Sequence, residues 1–218
     1  MVVEWQAIDT VLLDMDGTLL DLHYDNQFWL HHLPGVFGAR EGLSVEEARA
    51  AILDMTNARQ GTLEFYCLDH WSEVLNLDVA KLNTELAHLV QWRPNAERFL
   101  KMLQIHGTRT VLVTNSHQDG IDFKMDKTGL ALHLDRVVCA HDTGYAKEQQ
   151  GFWQHLHDIE PFDPARTLLV DDNINVLDAA ALWGVRYLLA VAQPDSGNDP
   201  VDTGNYLAVD DFGQILPE

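Results

Sequence analysis

Residues 10–20, TVLLDMDGTLL, run an apolar strand directly into two aspartates one residue apart, Asp14 and Asp16. Residues i and i+2 of an extended backbone face the same side, so both carboxylates emerge together, and Gly17 lets the chain turn away sharply and leave them exposed. Two carboxylates so placed can divide one reaction. Asp14 can attack phosphorus and become an aspartyl phosphate, while Asp16 protonates the leaving oxygen and later activates water. Asp-Gly is also a common turn, and D-x-D alone has little weight in a chain this acidic. The reading gains its force from three further features that arrive in order: Thr114 ending the run VLVT, Lys147 in a polar loop after a third apolar run, and Asp171-Asp172 ending TLLV.

Four carboxylates brought together would repel one another, so the set calls for a cation. Magnesium is the leading choice, because it favours an octahedral shell of carboxylate, carbonyl and water oxygens and can shield a substrate phosphate from the attacking carboxylate. Asp14, Asp172 and the Asp16 carbonyl are the expected ligands, with Asp171 bound directly or through water. Lys147 would supply fixed positive charge to the phosphate and the nucleophile; in isolation it would read as a surface lysine. Thr114 would offer a hydroxyl beside a helix N-terminus. Gly17, Thr18 and Asn115 are expected, with Lys147, among the substrate-binding residues. A calcium-binding loop fits D-x-D-G poorly: a strand precedes the motif, and Leu19 occupies the position where that loop needs glycine.

These residues need a scaffold that gathers strand ends. Short aliphatic or β-branched runs at 10–13, 110–113, 136–139, 167–170 and 186–191 read as buried strands. Helical patterns at 117–128, 150–159 and 173–183 alternate with the later strands, which predicts a Rossmann-like three-layer α/β core around a parallel sheet. Sites in such sheets lie at the strands' carboxyl ends. Residues 21–92 form a gap far too long for a loop and carry only helical periodicity, so they read as an inserted all-α cap between core segments 1–20 and 93–218. Ser44 and Glu47 form a capping box ahead of Val45, Ala48, Ile52 and Met55 at helical spacing. A second helix places Leu63, Cys67, Trp71 and Val74 on one face, and Pro94 is expected to open the helix that returns to the core. The stretch after Pro194, rich in Gly, Asp and Asn, reads as an irregular tail.

Fourteen basic against thirty-four acidic residues give a formal net charge of −20. Such a chain repels nucleic acid polymers and anionic membrane surfaces, yet a small phosphate ester remains admissible, because a bound cation reverses the field locally. Cys67 and Cys139 form no close pair, the N-terminus lacks a signal-peptide pattern, and no apolar stretch approaches membrane-spanning length. A cytoplasmic protein is expected. Neither H-E-x-x-H nor a P-loop, dinucleotide-binding or G-x-S-x-G motif is present among the 218 residues.

The four ordered elements resemble the signature motifs of the haloacid dehalogenase superfamily, and the insertion resembles its C1 helical cap. The resemblance covers essentially the whole chain. It implies phosphoryl transfer, since the dehalogenating branch is not expected to carry the second aspartate seen here as Asp16. DTVLLDMDGTLLDL, YCLDHWSEVLNLD, LVTNSH, TGLALHLD, GYAKE and PDSG together are similar to the bacterial GMP/IMP nucleotidases. Ala146 stands where proline is expected in that group and Asn173 where serine is more familiar. The implied substrate is a purine nucleoside monophosphate; another small phosphate ester, or transfer by a phosphomutase, stays open. The cap would read the leaving group. Phe28, Trp29, Tyr66 and Trp71 offer flat faces for a purine, and Arg40 or Arg59 could reach nucleotide oxygens; equally, the aromatics could form the cap's own core and the arginines lie in solvent.

Overall fold

The computed structural model describes residues 3–217; the first two residues of the N-terminal stretch and Glu218 lie outside it. Six parallel strands, β1 (Thr10–Leu13), β2 (Arg109–Thr114), β3 (Arg136–Cys139), β4 (Thr167–Asp171), β5 (Tyr187–Val191) and β6 (Leu207–Val209), form one sheet in the order β3-β2-β1-β4-β5-β6. This is the Rossmann-like order, with β1 central. All four β1 residues are buried, as a strand covered on both faces must be. Alternation sorts them by face: Val11 and Leu13 join the cluster containing Phe99, Leu100 and Leu103, whereas Leu12 joins the one containing Phe152, Trp153 and Leu156. Two helical layers therefore sandwich the sheet. On one side lie α7 (Ala96–His106) and α8 (Gln118–Thr128); on the other lie the short α9 (Ala140–Thr143), α10 (Gln150–Ile159) and α11 (Ile174–Trp183).

Between β1 and β2 the chain is helical: α1 (His23–Gln27), a π-turn at Phe28–His32, α2 (Leu33–Glu41), α3 (Val45–Asn57), α4 (Leu63–Tyr66), α5 (Leu68–Leu75) and α6 (Val79–Thr84). Phe28, Leu33, Ile52, Leu68, Trp71, Leu75 and Val79 form a separate apolar cluster within this segment. The expected capping box is present, with Glu47 N–H donating to Ser44 Oγ and Ser44 N–H to Glu47 Oε2. The two passages joining the segment to the sheet lie side by side. Arg93 N–H donates to Leu19 O at 2.9 Å, Asp21 N–H donates to Gln91 O at 2.9 Å, and Leu20 bridges Trp92.

Three local expectations are corrected. The tail is not wholly irregular, since Leu207–Val209 adds the sixth strand at the sheet edge; three residues inside a Gly/Asp/Asn-rich stretch carry too little pattern to reveal it. The helix expected through Leu63, Cys67, Trp71 and Val74 is broken. Cys67 is extended at φ −85° and ψ 110°, its sulfur accepts from His70 N–H, and Val74 is exposed. Pro94 does not open α7 either: it lies in the preceding turn, and Asn95, in the left-handed region at φ 58°, stands directly before Ala96.

Candidate active site

Asp14 follows the last residue of β1, and its N–H donates to Val170 O of β4. Thr114 is the last residue of β2, Asp171 the last of β4, and Asp172 the next. Neighbouring parallel strands end level with one another, so residues more than a hundred positions apart meet at one edge of the sheet. One carboxylate oxygen from each of Asp14, Asp171 and Asp172 lies within 4.8 Å of the others. Gly17 turns the chain there in the left-handed region, at φ +85°, and packs directly against the Asp172 carboxylate. Lys147, 2% exposed, donates to Asp14 Oδ1, to Asp171 Oδ2 at 2.7 Å and to Val113 O at 3.2 Å.

Burial pushes the Asp14 carboxyl up, Lys147 pulls it back, and Asp171 and Asp16 add to the rise. Burial likewise pushes Asp172 well above the usual carboxylate range, with Asp14 and Asp171 reinforcing it, and raises Asp171 against the opposing pull of Lys147. For Lys147 burial works against the charge, but Asp14 and Asp171 outweigh it and hold the ammonium above its ordinary pKa. Three buried or half-buried carboxylates thus share a single ammonium. A divalent cation fits this donor set: all-oxygen, anionic and short of one positive partner. Asp171 is already engaged by Lys147 and by Asn173 N–H at 2.9 Å, which leaves Asp14 and Asp172 as the freer pair.

The Asp16 side chain turns away from that trio. Its Oδ2 accepts from Ser116 Oγ and its Oδ1 from Lys124 Nζ at 2.7 Å. A cavity of about 430 Å³ spans the strand ends and the helical segment, within the ~300–1,000 Å³ usual for small-molecule sites. Asp14, Asp16, Thr114, Asn115, Lys147, Asp171 and Asp172 all line it, and so do Trp29 and Tyr66. Thr114 Oγ1 accepts from Ser116 N–H, and Asn115 Oδ1 from Lys147 N–H at 2.9 Å, so these two side chains shape the loops around the lysine. Thr18 is fully buried instead. Arg59 faces Glu64 at 3.3 Å and stacks over Trp71, and Arg40 donates to Leu75 O and Asn76 O; neither lines the cavity. Phe28 and Trp71 are core of the helical segment.

Four residues that matter to this geometry escape a reading of the sequence. Glu148 accepts from Tyr66 Oη of the helical segment at 2.7 Å, from Asn115 Nδ2 at 3.0 Å and from Asn173 Nδ2 at 3.2 Å, knitting three loops to the segment. Burial, then the Glu148 charge, hold the Tyr66 hydroxyl protonated well above its usual range. Ser116, Lys124 and Asp25 surround Asp16. The available signal for Lys124 is its place one turn after Ile121 on the buried face of α8, where a charge is out of pattern.

A family model described as haloacid dehalogenase-like hydrolase matches residues 8–184. The chain belongs to the haloacid dehalogenase-like hydrolases. This hydrolase is 40% identical over 215 residues to the GMP/IMP nucleotidase YrfG of Escherichia coli (strain K12), spanning 99% of this chain and 97% of that protein, with the same values for its counterpart in Shigella flexneri. Its sequence groups with the GMP/IMP nucleotidases, and it is a phosphoric monoester hydrolase. In fold it is similar to a HAD phosphatase from Thermococcus onnurineus, with a TM-score of 0.79 at 20% identity and 95% of each chain covered. An L-2-haloacid dehalogenase from Xanthobacter autotrophicus shares the architecture at a TM-score of 0.64 and 14% identity, covering 95% of this chain and 96% of that one. Both are likenesses of fold.

Proposed function

We propose that this hydrolase is a magnesium-dependent 5′-nucleotidase that acts on purine nucleoside monophosphates, GMP and IMP foremost, through a phosphorylated Asp14. The observation that carries the chemistry is the division of labour between the paired aspartates: Asp14 is held by Lys147 within the carboxylate trio, while Asp16 is held separately at the wall of the same cavity. The purine preference is supported by the 40% identity to a GMP/IMP nucleotidase over nearly the whole chain.

Asp14 Oδ attacks phosphorus, and the ester bond breaks as Asp16 gives its proton to the departing nucleoside oxygen. Asp16, now a carboxylate, takes a proton from water, whose oxygen attacks the acyl phosphate and frees Asp14 and inorganic phosphate. Lys147 neutralises charge on the nucleophile and the incoming phosphate. Asp14, Asp172 and the Asp16 carbonyl would hold the cation, with Asp171 orienting Lys147; bound there, a magnesium ion offsets repulsion between phosphate and carboxylate. Segment 21–92 serves as a cap, with Trp29 and Tyr66 facing the leaving nucleoside and Tyr66 closing onto Glu148. Segments 1–20 and 93–218 form the core domain. Two free cysteines and the lack, among the described residues, of any helix long and apolar enough to cross a membrane support a cytoplasmic setting.

The test is phosphate release from GMP and IMP by purified protein with magnesium, compared by kcat/KM with phosphoglycolate and sugar phosphates. Chelation should abolish the activity and added magnesium restore it. Hydrolysis of the other esters but not of the nucleotides would defeat the specificity reading.

A further inference from the structure

We propose that Lys124 is the positioning residue for Asp16, and that through Asp25 it ties this carboxylate to the helical segment. The inference rests on the acid/base reading of Asp16. A carboxylate that gives and takes a proton must present a fixed edge to the reacting oxygen, and a donor on each oxygen fixes its plane. Asp16 has that arrangement, with Ser116 Oγ on Oδ2 and Lys124 Nζ, at 2.7 Å, on Oδ1. Ser116 and Lys124 both come from the chain that follows β2, so the sheet's own framework holds Asp16 on both sides.

The other contacts of the same ammonium lead into the helical segment. Lys124 Nζ donates to Asp25 Oδ1 at 2.8 Å and Oδ2 at 3.0 Å, and lies 4.9 Å from the centre of the Tyr24 ring. Tyr24 Oη in turn donates to Asn83 O of α6 at 2.6 Å. One buried lysine therefore touches the acid/base carboxylate and two residues of α1, which is anchored onward to α6. Lys124 is 3% exposed, on the helix face that also buries Ile121. An apolar side chain would fill that place without the desolvation cost of an ammonium, so packing alone does not account for the charge. Nor does the nucleophile, whose ammonium partner is Lys147. What Lys124 adds is a hydrogen-bond donor aimed at Asp16, held where it is by Asp25.

The experiment compares two substrates. A nucleotide expels an alkoxide that needs a proton from Asp16, whereas p-nitrophenyl phosphate expels p-nitrophenolate, which departs without one. Asp16→Asn sets the benchmark: slow turnover of GMP with no burst, and with p-nitrophenyl phosphate a burst of about one equivalent per active site before slow turnover, because water activation also needs Asp16. Lys124→Met is expected to reproduce this signature, with kcat on GMP lowered ~10²-fold and KM little changed. Since Lys124→Met strands two half-buried carboxylates and can unfold the chain, Lys124→Met/Asp25→Asn is measured beside it. The double variant restores the net charge of the cluster but not the donor, so it should recover Tm and keep the burst. Wild-type kcat on GMP in either variant, or an equal loss on both substrates without a burst, overturns the positioning role. A burst absent from Asp16→Asn itself would instead defeat the acid/base reading on which the inference rests.

Discussion

Gly17→Ala tests whether the trio of aspartates depends on the close approach of the turn. A Cβ built at Gly17 lies 2.5 Å from Asp172 Oδ2 and 2.7 Å from its Cγ, short by about 0.9 Å of the 3.4 Å at which ordinary contact begins. The Asp172 carboxylate must retreat by that amount, out of register with Asp14. Misplacement on the scale of 1 Å lowers kcat/KM ~10²-fold, equivalent to about 2.7 kcal/mol of transition-state stabilisation, and a disturbed ligand weakens metal affinity ~10–100-fold. The φ of +85° adds backbone strain of about 1–2 kcal/mol for alanine, partly offset by the stiffer unfolded chain, so Tm should fall by roughly 2–4 °C. Gly107→Ala separates the two effects, because Gly107 has nearly the same φ, +81°, and nothing within 4 Å of its added Cβ. Magnesium titrations of phosphate release are the assay, with thermal melts alongside. Gly17→Ala should lose activity and require more magnesium, while Gly107→Ala loses only the few degrees. A Gly17→Ala enzyme with wild-type magnesium dependence would refute the claim that Asp172 holds the cation.

Three further outcomes follow from the same structure. Asp14→Asn should lower turnover by more than ~10⁴-fold and leave no phosphoenzyme, yet melt at or above the wild-type temperature without metal, since burial and the neighbouring carboxylates already disfavour that charge; retained turnover in a phosphate-release assay would exclude Asp14 as nucleophile. Trp71→Ala removes a fully buried indole from the helical segment's cluster and its N–H bond to Phe65 O, so chemical denaturation should show a loss of about 3–5 kcal/mol. Glu160 accepts from Arg109 at 2.8 and 3.1 Å and from Arg136 at 3.2 Å, and the Arg109 hydrogen bond, outweighing burial, holds its carboxyl below the usual range. A depressed carboxylate contributes stability that is complete above its unfolded pKa and fades as pH falls through the folded one. The difference in unfolding free energy between wild type and Glu160→Gln, on the order of 1 kcal/mol by chemical denaturation, should therefore be constant above about pH 4.3 and narrow below it; a gap that widened with acid would contradict the assignment.

What could be read from sequence was whatever repeats locally. Asp14, Thr114 and Asp171 were legible because each ends a short apolar run, and parallel strands bring such ends together. Lys147 was legible by its order along the chain. The partners of Lys124 lie 108 and 99 residues away in Asp16 and Asp25, and no periodicity links such positions. The aromatics show the other limit: the sequence offers Phe28, Trp29 and Trp71 either as flat faces for a base or as core of the helical segment, and residue type alone does not choose between them. The structure divides them, with Trp29 alone of the three on the cavity wall. β6 was invisible because Leu207, Ala208 and Val209 make one strand turn of pattern among residues that read as loop.

The side-by-side passages at Leu19–Asp21 and Gln91–Arg93 give the molecule a single doorway between its two kinds of structure. A segment that leaves and returns through one hydrogen-bonded gate imposes no spacing requirement on the sheet, whatever its length or contents. Under the proposed reading of this segment as a cap, substrate choice is a cartridge: another helical piece with the same two ends could be grafted at this gate. The graft would have to bring its own counterpart of Asp25 for Lys124 and of Tyr66 for Glu148, two of the sockets that grip the segment, alongside those of Asn26 on Asp195 and of Gly61 on Gln149.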